Sequence, residues 1–250
     1  MIRNKRPFNF INKLKNVIYY QKGEGKLGRK LQLITIQLFF EICCVQPLSQ
    51  TELDMIDEDL LNHLLDLVEI TRDEEDETFN YSIIHLIEEE FLNVNTVVTI
   101  LSKRIGTSNT FGENIIFMLN RSVKPHIQML ILKLLFEIFT TPETFEYFYT
   151  NDLGVLIDVF IRELYNLPEE SEALRHSYLR VLYPLISNTQ LNRYKYKQHN
   201  VCKLLLDLNG TFTKHFKPVS SVTQRLVDRC LFTGYLEGIL LAIIFNYVRK

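Results

Sequence analysis

Apolar residues recur at intervals of three and four along this chain, from residue 27 almost to its end, and this is the spacing of an amphipathic helix. The block at 27–45 carries the pattern on two sides. One stripe consists of Leu27, Leu31, Ile34, Leu38, Ile42 and Val45, and the other of Leu33, Ile36 and Phe40. A helix that is apolar on two sides needs cover on both. We therefore expect a helix over 27–45 with both faces buried.

The same double pattern returns in two later blocks. Residues 125–140 combine the stripe Ile127, Leu130, Ile131, Leu134, Leu135 and Ile138 with Met129, Leu132, Phe136 and Phe139. Residues 153–167 repeat it through Leu153, Leu156, Ile157, Val159, Phe160, Ile161 and Leu164. Proline residues separate the periodic blocks, as expected where helices start and stop, at Pro47, Pro125, Pro142, Pro168 and Pro218. Pro184 falls late in a helical pattern and predicts a kink or an early end there.

These blocks predict an all-α protein of about a dozen helices, because no run alternates with the period of a strand. Short connections between two-sided helices favour an armadillo-like or HEAT-like helical array. No repeat of about 40 residues aligns, so a compact irregular bundle is the alternative. We assign residues 27–250 to a single armadillo-like leucine-rich helical domain, preceded by a basic lead at 1–26.

The two ends of the chain raise the question of a membrane. Basic residues surround Phe8, Phe10 and Ile11, which suits an amphipathic helix on a membrane surface, a frayed end, or a strut on the first core helix. The longest apolar run, 238–248, is about half the length that crosses a bilayer. We expect it to be a buried core helix, and we expect no integral membrane segment.

Composition narrows the class of partner. The chain has 28 basic and 30 acidic residues, so its net charge of -2 provides no cationic field to attract a nucleic acid. We therefore expect no nucleic-acid partner. The four cysteines show no metal-binding or disulfide spacing, which predicts free and mostly buried thiols in a cytoplasmic protein.

The glycines of GEGKLG, residues 23–28, have the spacing of a dinucleotide-binding loop. That loop works only between a strand and a helix, with an acidic residue about 20 positions later to hold a ribose. A helical pattern follows this segment, and no strand pattern does. We interpret it as a flexible lead into the first core helix and expect no cofactor.

Candidate metal ligands and catalytic groups are sparse. His63 with Asp66, and His85 with Glu88, lie one helical turn apart and could each supply two metal ligands. A surface hydrogen bond explains each pair more simply, so we expect no metal site. The adjacent carboxylates at 88–90 would face different directions on a helix, so they would not converge on one substrate. Cys43 and Cys44 stand among apolar residues as packing groups. We therefore expect no catalytic residue and no enzyme activity.

The strongest candidate for binding is a basic segment rich in tyrosine. Between residues 191 and 203 the sequence reads LNRYKYKQHNVCK. Arginine and tyrosine are enriched at interface hot spots, whereas tyrosine on an ordinary helix surface can also serve as a lid over the core. We predict a protein-binding site made of Arg193, Tyr194, Lys195, Tyr196, Lys197, His199 and Lys203. A second basic group, Lys214, Lys217, Arg225 and Arg229, follows it.

Several stretches resemble the leucine-rich domain of the WISH/DIP family, which includes the fungal Dip and Ldb-type proteins and the animal NCK-interacting protein with SH3 domain. They are LGRKLQLITIQLFFEIC (27–43), LNRSVKP (119–125), TPETFEYFYTNDLGVLIDVFIRELYNL (141–167) and LRHSYLRVLYPLISNT (174–189). The most specific part runs through Phe148, Tyr149, Asp152, Leu156, Ile157, Asp158, Arg162 and Leu167, followed by Leu174, Arg175, Tyr178 and Leu179.

The resemblance implies an armadillo-like helical array that binds the actin-related protein 2/3 complex and activates it without a preformed actin filament. The linear actin filament so formed would seed branched networks at endocytic sites, in cortical actin patches of the cytoplasm, and actin itself would be an indirect partner. The chain shows no SH3 module or proline-rich segment, and its last twenty residues match no pattern of the family. The alternative function is a helical adaptor that binds a peptide or helix of another protein and has no effect on actin.

Overall fold

The structure, a computed structural model, describes residues 10–20, 25–45, 49–70, 78–88, 94–107, 110–122, 124–210, 220–240 and 242. Within these ranges the regular structure comprises thirteen α-helices and one short 3-10 helix, without a strand. The prediction of an all-α protein is therefore confirmed, while the armadillo-like arrangement stays a prediction. No helix in the described ranges is both long and apolar enough to span a membrane.

The chain divides into two compact units, Met1–Arg104 and Ile105–Lys250. The first unit contains α1 (Phe10–Tyr20), α2 (Gly25–Val45), α3 (Gln50–Leu53), α4 (Glu58–Ile70), α5 (Thr78–Glu88) and α6 (Val94–Lys103). Helix α1 packs on α2, α2 packs on α5, and α4 packs on both α5 and α6. The single domain assigned to residues 27–250 stays a prediction.

Helix α1 lies inside the predicted basic lead and belongs to the core of the first unit. Its side chains Ile11, Leu14 and Ile18 are buried, and it packs on α2. Among the alternatives for the lead, this arrangement favours the strut on the first core helix over a frayed end.

The expectation that both apolar stripes of α2 are buried is wrong. The first stripe faces outward, with exposed side chains at Leu27, Leu31, Ile34, Leu38 and Val45. The buried side of α2 instead includes Gln32, Thr35, Ile36, Phe39 and Cys43. Two of these are polar, and both have partners: the Gln32 amide donates to the Ile18 carbonyl over 2.8 Å, and the Thr35 hydroxyl donates to the Leu31 carbonyl over 2.7 Å. A polar side chain that keeps its hydrogen bonds can be buried at little cost.

Arg104, at the end of the first unit, ties the chain after α6 to α4. Its guanidinium lies 2.6 Å from an Asp66 carboxylate oxygen and 3.0 Å from one of Glu69. It also donates to the side-chain oxygen of Asn62 over 3.2 Å. One arginine therefore holds three consecutive turns of α4.

The second unit contains α7 (Phe111–Arg121), α8 (Pro125–Thr140), the 3-10 helix Pro142–Thr144, α9 (Thr150–Asn166), α10 (Glu172–Asn188), α11 (Leu191–Tyr194), α12 (Gln198–Leu208) and α13 (Ser221–Leu231). Helix α10 is central, because it packs on α8, α9, α11 and α13. The apolar blocks predicted at 125–140 and 153–167 form α8 and α9, and most of their apolar side chains are buried. Met129 is an exception, at 38% exposed.

Proline positions agree with the predicted boundaries of the second unit, except within α10. Pro125 begins α8, Pro142 begins the 3-10 helix and Pro168 follows α9. Pro184 lies inside α10, which continues to Asn188, so the helix does not end early there, and the alternative of a kink stays a prediction. The Pro184 ring is buried, and packing of α10 against its neighbours outweighs the lost helical hydrogen bond.

Some sequence predictions fall outside the described residues. Helix α2 begins at Gly25, within GEGKLG, while Gly23 and Glu24 lie outside the described ranges. The same holds for Pro47, for Pro218 and for most of the predicted core helix at 238–248. Cys43, Cys202 and Cys230 are free and buried, as predicted.

Candidate functional site

The predicted basic segment forms a tight corner between α11 and α12, which we call the α11–α12 corner (residues 191–203). Helix α11 ends at Tyr194 and α12 begins at Gln198. The chain turns through Lys195 and Lys197, whose φ angles are 54° and 49°. These are the only residues other than glycine with positive φ in the described ranges. A lysine in this left-handed region costs about 1–2 kcal/mol, so surrounding contacts must hold the corner in place.

Tyr235, which follows α13, supplies one set of these contacts. Its buried hydroxyl donates a hydrogen bond to the Tyr196 carbonyl, and its own carbonyl accepts one from the Gln198 side chain. The Lys195 ammonium lies 5.6 Å from the centre of the Tyr235 ring and donates to the Gly234 carbonyl. Burial raises the pKa of Tyr235, so the hydroxyl stays protonated and can donate. One tyrosine therefore fixes both ends of the turn.

Asp158 on α9 supplies the second set of contacts. The Lys197 ammonium lies 2.7 Å from one Asp158 carboxylate oxygen, and the Tyr196 hydroxyl donates to the other over 3.3 Å. The Tyr196 ring lies against Gly154, one helical turn earlier on α9. The bond to the Asp158 carboxylate raises the pKa of Lys197. Asp158 thus anchors the middle of the turn to α9.

The remaining predicted residues point into solvent. Arg193, Tyr194, His199 and Lys203 are exposed, and Tyr194 is 64% exposed. They lie on α11 and α12, on either side of the anchored turn. An exposed tyrosine close to cations on a fixed backbone can contact a partner with little loss of conformational entropy. These four side chains form the exposed part of the candidate site outside the anchored turn, in which Tyr196 and Lys197 are exposed as well.

The structure therefore gives the seven predicted residues two different roles. Lys195, Tyr196 and Lys197 make contacts within the chain, which agrees with the alternative that tyrosine here covers the core. Tyr196 and Lys197 are also exposed beside these contacts, Tyr196 at 40%, and the other four are exposed on either side of the turn. Whether any of the seven touches a partner stays a prediction.

Sequence reasoning missed the anchors. Tyr235 and Asp158 lie about 40 residues from the corner on either side, and no local pattern links them to it. Of the second basic group, Arg229 stacks 4.0 Å from the centre of the Tyr183 ring and Arg225 is exposed. Lys214 and Lys217 lie outside the described residues.

The first candidate metal pair, His63 with Asp66, does not assemble. His63 is buried and stacks on Tyr19 with ring centres 5.0 Å apart, whereas Asp66 is exposed and pairs with Arg104. The His85 side chain lies outside the described set. No cluster of three or more metal-ligating side chains occurs in the part of the chain that the structure describes.

Comparison with known proteins matches residues 56–201 to the family described as SPIN90/Ldb17, leucine-rich domain. Protein dip1 of Schizosaccharomyces pombe is 38% identical over 206 residues, which cover 76% of this chain and 54% of that protein. Protein LDB17 of Saccharomyces cerevisiae is 30% identical over 189 residues, which cover 71% of this chain and 38% of that protein. The chain therefore corresponds to only part of each of these relatives.

Proposed function

This chain belongs to the SPIN90/Ldb17 leucine-rich domain family, and from that membership we propose that it binds and activates the actin-related protein 2/3 complex. The observation that carries the proposal is the family match over 56–201, with the 38% identity to Protein dip1 beside it. The resemblance drawn from the sequence pointed to the same family.

The finer proposal concerns how activation occurs. The chain would switch on the complex without a preformed actin filament, and the linear filament so produced would seed branched networks. Endocytic patches at the cell cortex are the proposed location, with actin as the indirect partner. No bond would be made or broken by the chain itself, so we propose a binding protein and not an enzyme.

Activation without chemistry requires a difference in affinity. A protein shifts a partner between two states only as far as it binds one of them more tightly. Moving a complex from 1% to 99% active takes a preference of about 10⁴-fold. A surface with a fixed shape can discriminate between two arrangements of the same subunits, because it does not adapt to both.

The α11–α12 corner has the properties that such discrimination needs. Its backbone is fixed by Tyr235 and Asp158, while Arg193, Tyr194, His199 and Lys203 are presented to solvent. The cations would favour an acidic surface on the partner and would speed association. We propose this corner as one contact of the chain with the complex.

The alternative function is a helical adaptor that binds a peptide or helix of another protein and leaves actin nucleation unchanged. A pyrene-actin assay with purified actin-related protein 2/3 complex, free of seed filaments and of other activators, separates the two functions. Faster polymerisation in the presence of this chain supports activation. Binding to the complex without faster polymerisation supports the adaptor, and no binding to the complex contradicts activation.

A charge reversal tests the site separately from the function. Arg193→Glu combined with Lys203→Glu changes two exposed cations and leaves the anchored turn intact. We expect weaker binding and slower nucleation at unchanged thermal stability. Lys124→Glu, at an exposed cation before α8, is the matched control. Full activity of the double variant would exclude the corner as the contact while leaving the function itself standing.

A further inference from the structure

The outward face of α2 has the spacing of a coiled-coil seam. Six exposed residues follow one another there at steps of four, three, four, three and four. This alternation brings the side chains of two paired helices together along one line. Five of the six residues are apolar, and they are 42% to 83% exposed. The six seam residues are Leu27, Leu31, Ile34, Leu38, Glu41 and Val45.

The apolar part of this seam is large for a surface that faces water. Five exposed leucine, isoleucine and valine side chains present on the order of 500 Å² of apolar surface, as much as the largest patch of a typical monomer. Helix α2 packs on α1 and α5 through its other side, so the first unit holds the seam in place. Two copies joined along the seam would bury roughly 1,000 Å², the lower limit of a specific interface. We therefore expect a weak and reversible dimer.

The seam is complementary to itself when two copies run antiparallel. A two-fold axis at residue 36 pairs residues whose numbers add up to 72. Ile34 then lies beside Leu38 of the second copy, and Leu27 lies beside Val45 of the second copy. Each contact occurs twice, as two-fold symmetry requires. The second copy of this chain therefore fits the seam over its whole length.

The charges on this face favour the same register. Leu31 pairs with Glu41 of the second copy, so the neighbouring Lys30 comes within reach of that carboxylate. Lys30 and Glu41 are both exposed, and neither forms an ion pair within the described ranges. They cannot pair within one helix, because eleven residues separate them by about 16 Å at ~1.5 Å per residue. A parallel pair of helices would bring like charges together at both positions.

We propose that two copies of this chain associate through an antiparallel pair of α2 helices. Ile34 and Leu38 of both copies form the apolar centre of the interface. An ion pair between Lys30 of one copy and Glu41 of the other lies on each side of this centre. The two ion pairs select the antiparallel register, because other registers leave the charges unmatched.

Sedimentation equilibrium of the full chain tests the association, over a concentration range of about 1 to 100 μM. We expect the native chain to show a reversible equilibrium between monomer and dimer. Leu38→Glu brings two carboxylates into the apolar centre and should leave the chain monomeric throughout this range. Ile70→Glu is the matched control at another exposed apolar residue of the first unit, and it should dimerise like the native chain. Circular dichroism shows whether each variant is folded.

Charge exchange tests the register. Lys30→Glu and Glu41→Lys each turn both ion pairs into contacts of like charge, so each should weaken the dimer about tenfold. A mixture of the two variants has opposite charges at both contacts and should form a heterodimer with about the native affinity. The double variant, Lys30→Glu with Glu41→Lys, should also dimerise like the native chain. Added salt should reduce these differences.

Three results would overturn the proposal. The first is a native chain that stays monomeric up to about 100 μM. The second is a dimer that persists in the folded Leu38→Glu variant. The third is a dimer that depends on Leu38 but is unaffected by the two single charge variants, because the helices would then not pair in the antiparallel register. The measurement uses this chain alone, so its outcome is independent of the proposed nucleation activity.

Discussion

The Tyr235 hydroxyl is the contact on which the conformation of the α11–α12 corner most depends. Tyr235 is fully buried, and its hydroxyl donates to the Tyr196 carbonyl between the two left-handed lysines. Tyr235→Phe removes that donor and keeps the ring, so it creates no cavity. The Tyr196 carbonyl then loses its partner in a partly buried position.

Losing one partner of a buried hydrogen bond costs about 1–3 kcal/mol. The Tyr196 carbonyl is only partly buried, so water can replace part of the lost bond and we expect about 1–2 kcal/mol of lost stability. The backbone of the corner is also strained at Lys195 and Lys197, and loss of the Tyr235 hydrogen bond lets that strain relax. Backbone amides around the turn should therefore exchange hydrogen faster in the variant than in the native chain.

Tyr178 on α10 provides a control with the opposite expectation. It is equally buried and packs edge-on against Phe160, with ring centres 5.0 Å apart. Its hydroxyl has no hydrogen-bond partner among the described residues, and burial raises its pKa. Tyr178→Phe therefore removes an unsatisfied polar group, and the free energy of unfolding should stay the same or rise by up to about 1 kcal/mol.

Urea unfolding curves for the native chain and the two variants measure both effects, at equal m-values. The pyrene-actin assay then shows whether loosening the corner slows nucleation while the fold persists. A loss of stability in Tyr178→Phe as large as that in Tyr235→Phe would refute the reasoning, because the two hydroxyls would then be equivalent. Unchanged hydrogen exchange at the corner in Tyr235→Phe would show that the Tyr235 hydroxyl does not hold the corner in its conformation.

Three further predictions concern stability alone. Arg104→Lys keeps the charge but loses the fork that reaches Asp66 and Glu69, and should cost about 1 kcal/mol in urea unfolding. Ile36→Ala should cost about 2–5 kcal/mol and Ile34→Ala less than about 1 kcal/mol, because Ile36 is buried and Ile34 is 50% exposed; equal losses would contradict the assignment of the faces. Burial lowers the pKa of His176, so the folded chain binds fewer protons than the unfolded chain in acid. The free energy of unfolding should therefore decrease as the pH is lowered from about 6.5, and His176→Gln should remove that part of the pH profile.

The periodic signal predicted the helices well but not which side of α2 is buried. The stripe through Leu27, Leu31, Ile34 and Leu38 is more apolar than the side that the structure buries. Gln32 lies inside because its amide meets the Ile18 carbonyl, and a pattern of hydrophobicity cannot contain that partner. The apolarity of a helix face indicates how much its burial would stabilise the fold, whereas the neighbouring helices determine which face is covered.

The sequence pattern also failed to predict which residues contact the candidate site. Composition located the segment, since cations and tyrosines at 193–203 are a local feature. The anchoring of Lys195, Tyr196 and Lys197 depends on Asp158 and Tyr235, which the fold brings from α9 and from the chain after α13. The left-handed turn also breaks the local rule that such positions favour glycine. Nothing in LNRYKYKQHNVCK indicates it.

The left-handed conformation of Lys195 and Lys197 is informative about function. Non-glycine residues in left-handed conformations persist only where surrounding contacts compensate, and they concentrate at binding and catalytic sites. Here the compensation comes from α9 and from the chain after α13, so the exposed side chains of the corner have a fixed relation to both. A binding surface held in this way pays little entropy when it meets a partner, and it resists deformation toward a second shape. A protein that activates its partner by preferring one arrangement of it needs both properties, whereas an adaptor for flexible peptides needs neither.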